Sequence, residues 1–453
     1  MLRDKAVPVT ALSLTDLEQS ALDWSQFDFD PAYKPVMKAK KQLRAHQIPA
    51  LESVKRGLTT ADRGKLIMAC GTGKTFTSLR IAEAVAGRSK TVLFLVPSLA
   101  LLSQTLDEWT QDTLVDLRCF AVCSDSDVGK RNHDDNVVVG ISDLKYPATT
   151  NANSLVKAFN QPDIFGSDKP PYMNVVFSTY HSVEVIHQAQ KLGFPAFDFI
   201  ICDEAHRTTG ATFEGDDESA FVRIHDNAYI AGKKRLYMTA TPRIYSDDAE
   251  NTEGVENIYS MNNEKWFGED LYVITFSKAV QLGILCDYKV IVLAVEQKHV
   301  SRRIQSLLRD ENNQLKVDDA AKIVGCWKAL AKQGLAGTDG VHPHAMKRAV
   351  AFCQVIEESK GKVHKVSSKL ITEMFGAVVE AYQASEIEYL RETAPEQEFD
   401  LSLKLQCEVK HVDGSMNATE KKSKIEWLKA EADENVCRIL SNVRCLSEGV
   451  DVP

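Results

Sequence analysis

Eight consecutive residues, Met68-Ala69-Cys70-Gly71-Thr72-Gly73-Lys74-Thr75, follow a short apolar run and precede a helical pattern. Their chemistry is that of a loop that holds a nucleoside triphosphate by its phosphates. Gly71 and Gly73 let the backbone approach oxygens that a Cβ would obstruct. Successive N–H groups around Thr72 and the start of the next helix favour an anion. Lys74 brings a mobile positive charge to the β- and γ-phosphates, and Thr75 offers a hydroxyl to magnesium. Met68 stands where the general pattern has its first glycine. A second constellation, Ile200-Ile201-Cys202-Asp203-Glu204-Ala205-His206, is an apolar strand ending in two carboxylates. Asp203 is suited to a magnesium ion, and Glu204 to receiving a proton from, or positioning, an attacking water. His206 can couple that water to the rest of the site. The cofactors expected are therefore ATP and Mg2+. In a third segment, Thr239-Ala240-Thr241-Pro242-Arg243, small hydroxyl residues at a strand end can bond the carboxylate loop and a second domain.

Elements must place these residues. Val92–Val96, Val137–Val139, Val175–Phe177, Phe199–Ile201 and Leu236–Met238 are short apolar runs, separated by helical stretches such as Thr77–Ala86 and Ala100–Trp109. Alternation of buried strands with amphipathic helices predicts an α/β fold with a parallel sheet covered on both faces. Asp203 then falls at the carboxyl edge of that sheet, where such folds bind ligands. A second α/β series starts at Tyr288. It includes a helical segment over 301–334, the run Ala349–Phe352, a long helix between Glu357 and Tyr382, the run Leu403–Val409, a charged helix near Thr419–Ala430, and Ile439–Cys445. The organisation expected is a leader over 1–40 carrying Trp24, Phe27, Phe29 and Tyr33, a first domain over 41–255, a connector over 256–287 and a second domain over 288–453. Glu214–Ser219 and Ser246–Gly254 read as acidic loops.

At 453 residues the chain is too long for one ordinary core. Its 44% hydrophobic and 26% charged residues are those of a soluble globular protein. No apolar run reaches the roughly 18 residues needed to span a bilayer, and the first residues have no secretory pattern. The ten cysteines are scattered; Cys70, Cys202, Cys353 and Cys445 lie in or beside apolar runs and are expected to be buried thiols of a cytoplasmic protein. Cys119 with Cys123, and His342 with His344, lack partners at zinc-site spacing. The net charge of −9 argues against a nonspecific nucleic-acid coat, though not against a motor that grips phosphates with amides, hydroxyls and a local basic strip.

Gly71–Thr75, Asp203–His206 and Thr239–Thr241 resemble motifs I, II and III of superfamily 2 helicases of the DEAH type. Leu43-Arg44-Ala45-His46-Gln47 is similar to the upstream adenine-sensing motif, which would give Gln47 a base edge. Pro97 and Ser98 with Gln104 resemble motif Ia, Ser178-Thr179-Tyr180 motif Ib, and Phe352-Cys353-Gln354 motif IV. The resemblance implies that Pro97, Ser98, Thr179, Tyr180, Cys353 and Gln354 meet nucleic acid. Val443–Pro453 resembles motif V, in which Gly449 and Asp451 would face the nucleotide. Thr239 and Thr241 would couple the two activities. The fold implied is two RecA-like domains, the second incomplete at its C-terminus, with ATP and Mg2+ in the cleft between them.

Within that superfamily, MACGTGKT, DEAHR followed by Thr208-Thr209-Gly210, TATPR and Phe276-x-x-Ala279-x-x-x-Gly283-x-Leu285 are similar to the motors of ATP-dependent restriction enzymes, both type I subunits and single-chain restriction–modification enzymes. This likeness implies translocation on double-stranded DNA. Lys145, Lys233, Lys234, Arg235 and Arg243 are candidates for a phosphate track. The arginine helix of motif VI is missing after Pro453. The chain therefore reads as a fragment that binds ATP and hydrolyses it slowly, its further modules or partner subunits lying elsewhere; no nuclease or methyltransferase signature is evident. The alternatives are a strand-separating helicase or remodeller, and a nucleotide-binding regulatory module without motor activity.

Overall fold

The computed structural model describes residues 20–30, 34–123, 148–161, 171–213, 221–245, 255–288, 317–333, 344–353, 355–356, 367–393, 404–413 and 418–443, with a few isolated positions besides. They fall into two compact units, one ending at Asp287 and the other beginning at Tyr288. Val137–Val139, the two acidic loops, Gln354, Gly449 and Asp451 lie outside the described residues.

In chain order the first unit contains α1 (Gln47–Thr60), β1 (Arg63–Met68), α2 (Lys74–Val85), β2 (Thr91–Val96), α3 (Leu99–Asp112), β3 (Leu117–Val122), β4 (Ala148–Thr149), α4 (Ala152–Phe159), β5 (Met173–Thr179), α5 (Val183–Lys191), β6 (Phe199–Cys202), β7 (Gly210–Phe213), β8 (Arg235–Thr239), β9 (Val255–Tyr259), β10 (Glu269–Ile274) and α6 (Phe276–Gln281). Eight of the strands form one sheet in the order β10-β1-β8-β6-β2-β5-β3-β4, every adjacent pair being parallel. β7 and β9 make a separate antiparallel pair.

The uninterrupted apolar runs follow from burial on both faces. In β2, Val92, Phe94 and Val96 join one core with Leu66, Met68 and Trp109. The intervening Leu93 and Leu95 join the opposite core with Tyr180, Ile186 and Phe197. Phe94, Trp109 and Phe177 pack with ring centroids 5.1–5.9 Å apart, the offset and edge geometry that aromatic quadrupoles favour. The Trp109 indole N–H donates to the Thr75 carbonyl at 3.2 Å, which ties α3 to the first turn of α2.

One feature of this sheet differs from the sequence reading. Residues 256–287 were expected only to connect, yet β10 lies among them and pairs with β1 from Gly64–Glu269 to Met68–Ile274. Its incomplete burial and acidic start (Glu269, Asp270) are those of an edge strand, which carries no continuous apolar run.

The second unit holds α7 (Val317–Leu330), β11 (Arg348–Phe352), α8 (Ser368–Thr393), β12 (Gln406–Val412), α9 (Ala418–Lys429) and β13 (Val436–Asn442). Its sheet runs β11-β13-β12, again parallel. Trp327 of α7 packs on Tyr382 of α8 and donates to the Leu405 carbonyl at 2.9 Å. α8 runs eleven residues past the expected end at Tyr382, because neither Gly nor Pro occurs between Tyr382 and Pro395. Among the described residues of the chain, no helix is long and apolar enough to cross a membrane.

Candidate nucleotide site

In a parallel sheet every strand delivers its following loop to the same edge. β1 there delivers the glycine loop, β6 the two carboxylates and β8 the threonine turn. Because β8 lies between β1 and β6, the loop and Asp203 leave the sheet two strand spacings apart, roughly 10 Å. A magnesium–triphosphate group can bridge that span.

Gly71 and Gly73 both adopt left-handed backbone, with φ of +81° and +83°. A Cβ on Gly73 would stand 2.5 Å from Gln47 Nε2. Lys74 opens α2, and no side chain caps that helix start. The loop is braced from below. His46 Nε2 donates to the Thr72 carbonyl at 2.8 Å, and Gln47 Nε2 donates to the carbonyls of Thr72 (3.3 Å) and Gly73 (3.2 Å). Gln47 Oε1 accepts the Arg44 N–H at 2.9 Å. Gln47 is thus buried beneath the loop with its amide engaged by backbone, an arrangement different from the base-edge role implied by resemblance. The support from His46 was not legible in the sequence. Thr72 is buried too, its hydroxyl bonded to the Ala69 carbonyl. Cys70, expected to be buried, is exposed, because the chain has already left β1.

The Asp203 N–H donates to Leu95 of β2 at 2.9 Å, which fixes the carboxylate's origin at the sheet edge. Its Oδ1 accepts the Glu204 N–H at 2.9 Å. Glu204 itself is left-handed, φ +47° and ψ +46°; for a side chain with a Cβ that costs about 1–3 kcal/mol, strain that clusters at functional sites. His206 Nδ1 lies 3.0 Å from Thr239 Oγ1 and 3.4 Å from Glu204 Oε2. Thr239 Oγ1 also accepts the Thr241 N–H at 3.1 Å. A run of contacts therefore leads through the side chains of Glu204, His206 and Thr239 to the Thr241 backbone. Uncapped N–H groups, flexible glycines, an ammonium, a hydroxyl and two acids on one edge form a donor set that fits ATP and Mg2+.

The residues expected at nucleic acid are placed less uniformly. Pro97 is buried. Ser98 caps α3, its Oγ accepting the Leu101 N–H at 3.4 Å. Thr179 is buried, with its hydroxyl 3.1 Å from Ser182 Oγ. Tyr180 corrects the expectation: its side chain is wholly buried and its hydroxyl donates to the Asp203 carbonyl at 2.7 Å. Burial pushes that phenol well above its ordinary range, so it remains a donor. In the second unit, half-buried Cys353 donates its N–H to Asn442 at 2.8 Å, and burial raises its thiol. Arg235 does not belong to a phosphate track. It is buried, and its guanidinium binds the carbonyls of Ile224 and Ile230 and the Asn227 amide oxygen. Lys233 pairs with Asp198 at 2.8 Å; Lys145 lies outside the described residues.

His225, which no motif marks, sits behind the carboxylate turn. Its Nε2 donates to the Thr208 carbonyl at 3.0 Å, and its Nδ1 lies 3.0 Å from the Tyr237 hydroxyl. Tyr237, Tyr259 and Phe267 surround the ring at 4.6–5.2 Å. Burial pushes its pKa down to about 4.

Comparison with known proteins points the same way. The family profile described as "Type III restriction enzyme, res subunit" matches residues 40–244. The chain is similar to LlaBIII, an ATP-dependent type ISP restriction–modification enzyme whose structure bound to DNA is known: 37% identity, TM-score 0.79, covering 100% of this chain and 28% of that one. It is similar also to a nuclease-deletion mutant of the type ISP enzyme LlaGI in complex with a DNA substrate mimic, at 34% identity and TM-score 0.57, covering 88% of this chain and 25% of the other. The endonuclease subunit of the type I restriction enzyme EcoAI from Escherichia coli is 23% identical over 301 residues, 63% of this chain and 30% of that protein. The chain thus spans less than a third of the length of each of these relatives.

Proposed function

Since the chain carries the superfamily 2 helicase motor of ATP-dependent restriction–modification enzymes, we propose that it couples ATP hydrolysis to movement along double-stranded DNA. The observation that carries this reading is the convergence of Lys74–Thr75, Asp203–Glu204 and Thr239 on one sheet edge, with His206 bonded to Thr239. Thr75 and Asp203 would hold Mg2+, which when bound neutralises charge on the β- and γ-phosphate oxygens. Lys74 and the N-terminus of α2 hold and orient the triphosphate tail. The Glu204 carboxylate takes the proton from a water aligned for attack, or fixes that water in line. His206, bonded to Thr239, carries the state of this carboxylate turn to the Thr239–Thr241 segment.

Two of the relatives named above, LlaBIII and LlaGI, were seen with DNA or a DNA substrate mimic, and their restriction–modification kind favours translocation over strand separation. DNA is the partner proposed, together with the recognition and cleavage modules such enzymes need. By their likeness to motif V, Gly449 and Asp451 are proposed to face a nucleotide, and Ser98, Cys353 and Gln354 to meet nucleic acid. The test measures nucleotide affinity and ATP hydrolysis with and without duplex DNA, beside triplex-displacement and strand-displacement assays. DNA-stimulated hydrolysis and triplex displacement without strand separation are expected, and Lys74→Ala should abolish nucleotide binding. Undiminished binding by that variant would overturn the reading.

A further inference from the structure

Tyr180 stands where β5 ends and the chain enters the short turn Tyr180–Ser182. β5 is separated from β6 by β2, so the tyrosine reaches over the end of β2 to bond the Asp203 carbonyl at 2.7 Å. That carbonyl belongs to the peptide joining Asp203 to Glu204, whose N–H is held by Asp203 Oδ1 at 2.9 Å. Both polar ends of this one peptide plane are thus tied, one to the metal-site carboxylate and the other to Tyr180. The plane precedes the left-handed Glu204, so its rotation sets where both carboxylates point.

On its other side Tyr180 belongs to the segment expected at the nucleic acid. Its ring stacks on Phe221 at 5.1 Å, and Phe221 meets the edge of His181 at 4.8 Å. His181 is exposed at the head of the turn. The buried ring of Tyr180 thus connects this turn directly to the Asp203–Glu204 peptide.

We propose that Tyr180 is a positioning residue through which DNA at His181, the exposed residue of the Tyr180–Ser182 turn, sets the carboxylates and so the rate of ATP hydrolysis. The proposal rests on the DNA-dependent ATPase reading above. It requires that the hydroxyl act on turnover and not on affinity.

Tyr180→Phe removes the hydroxyl and keeps the ring. Steady-state hydrolysis at saturating duplex DNA, the KM for ATP, and the Kd for a fluorescent duplex are compared between Y180F and the unsubstituted chain, with thermal midpoints alongside. The expected result is a fall of at least tenfold in DNA-stimulated kcat, with KM for ATP and Kd for DNA within twofold. Phe221→Ala leaves the hydroxyl in place and removes the ring linking it to His181; it should lower stimulation in the same sense, and it serves if Y180F does not fold. Stimulation that survives in folded Y180F, or in F221A where Y180F does not fold, overturns the inference. A weakened DNA Kd with stimulated kcat intact at saturation also overturns it, since Tyr180 would then be a DNA contact. If the unsubstituted chain hydrolyses ATP indifferently to DNA, the motor reading fails, and this inference falls with it.

Discussion

His225 offers a quantitative test of how the carboxylate turn is held. Its ring is enclosed by Tyr237, Tyr259 and Phe267 and is kept neutral by that burial, with a pKa lowered from 6.5 to about 4. The folded protein resists protonating this ring, whereas the unfolded chain takes the proton near 6.5. The unfolded state therefore binds more protons across this window, and stability falls as pH drops from 6.5 towards 4. Integrating between pH 7 and pH 5 with those two values gives a loss of about 2 kcal/mol from this residue alone. For a unit of this size that is a drop in thermal midpoint of about 4–8 °C. His225→Gln can still donate to Thr208 but has no titrating nitrogen. Thermal midpoints of both proteins at pH 7 and pH 5 provide the assay. H225Q should be less stable at pH 7, from imperfect packing, yet lose less on acidification by about the stated amount. Equal acid losses in the two proteins would refute the placement of a neutral imidazole behind Thr208.

Three further outcomes are expected. Glu204→Gln should lower hydrolysis about 10²–10⁴-fold while nucleotide binding persists, read by single-turnover kinetics beside equilibrium titration. Gly73→Ala should lose nucleotide affinity and about 1–2 kcal/mol of stability, since φ is +83° there and the new Cβ would dislodge Gln47 from the loop carbonyls; denaturant midpoints and nucleotide titration check it. Phe94→Ala removes the ring shared by Trp109 and Phe177 at the sheet centre and should cost about 3–5 kcal/mol, measured by urea unfolding.

The residues that could be read from the sequence are those whose chemistry is local. Gly71, Gly73, Lys74 and Thr75 act through a backbone turn they form themselves, and Asp203 and Glu204 follow directly on the strand that places them. Runs such as Val92–Val96 announce a sheet covered on both faces, because only such a strand can afford no polar side. What stayed hidden depends on distant partners. An aromatic at the end of β5 reads alike whether it faces a nucleic acid or Asp203, and only the order β6-β2-β5 decides between them. Lys233-Lys234-Arg235 reads as one basic strip, yet Arg235 turns inward to carbonyls supplied by Ile224 and Ile230. His225 owes its neutrality to Tyr259 and Phe267, more than thirty residues away in sequence.

The edge strand β10 bears on how firmly the glycine loop is anchored. Ile274, the last residue of β10, accepts the N–H of Ala69, where the chain leaves β1 for the phosphate loop. Strain applied along the axis of a strand paired in parallel loads its cross-links together, in shear, instead of opening them singly like a zip. A chain segment fastened in this way can take a pull near the triphosphate's seat without being stripped from the sheet.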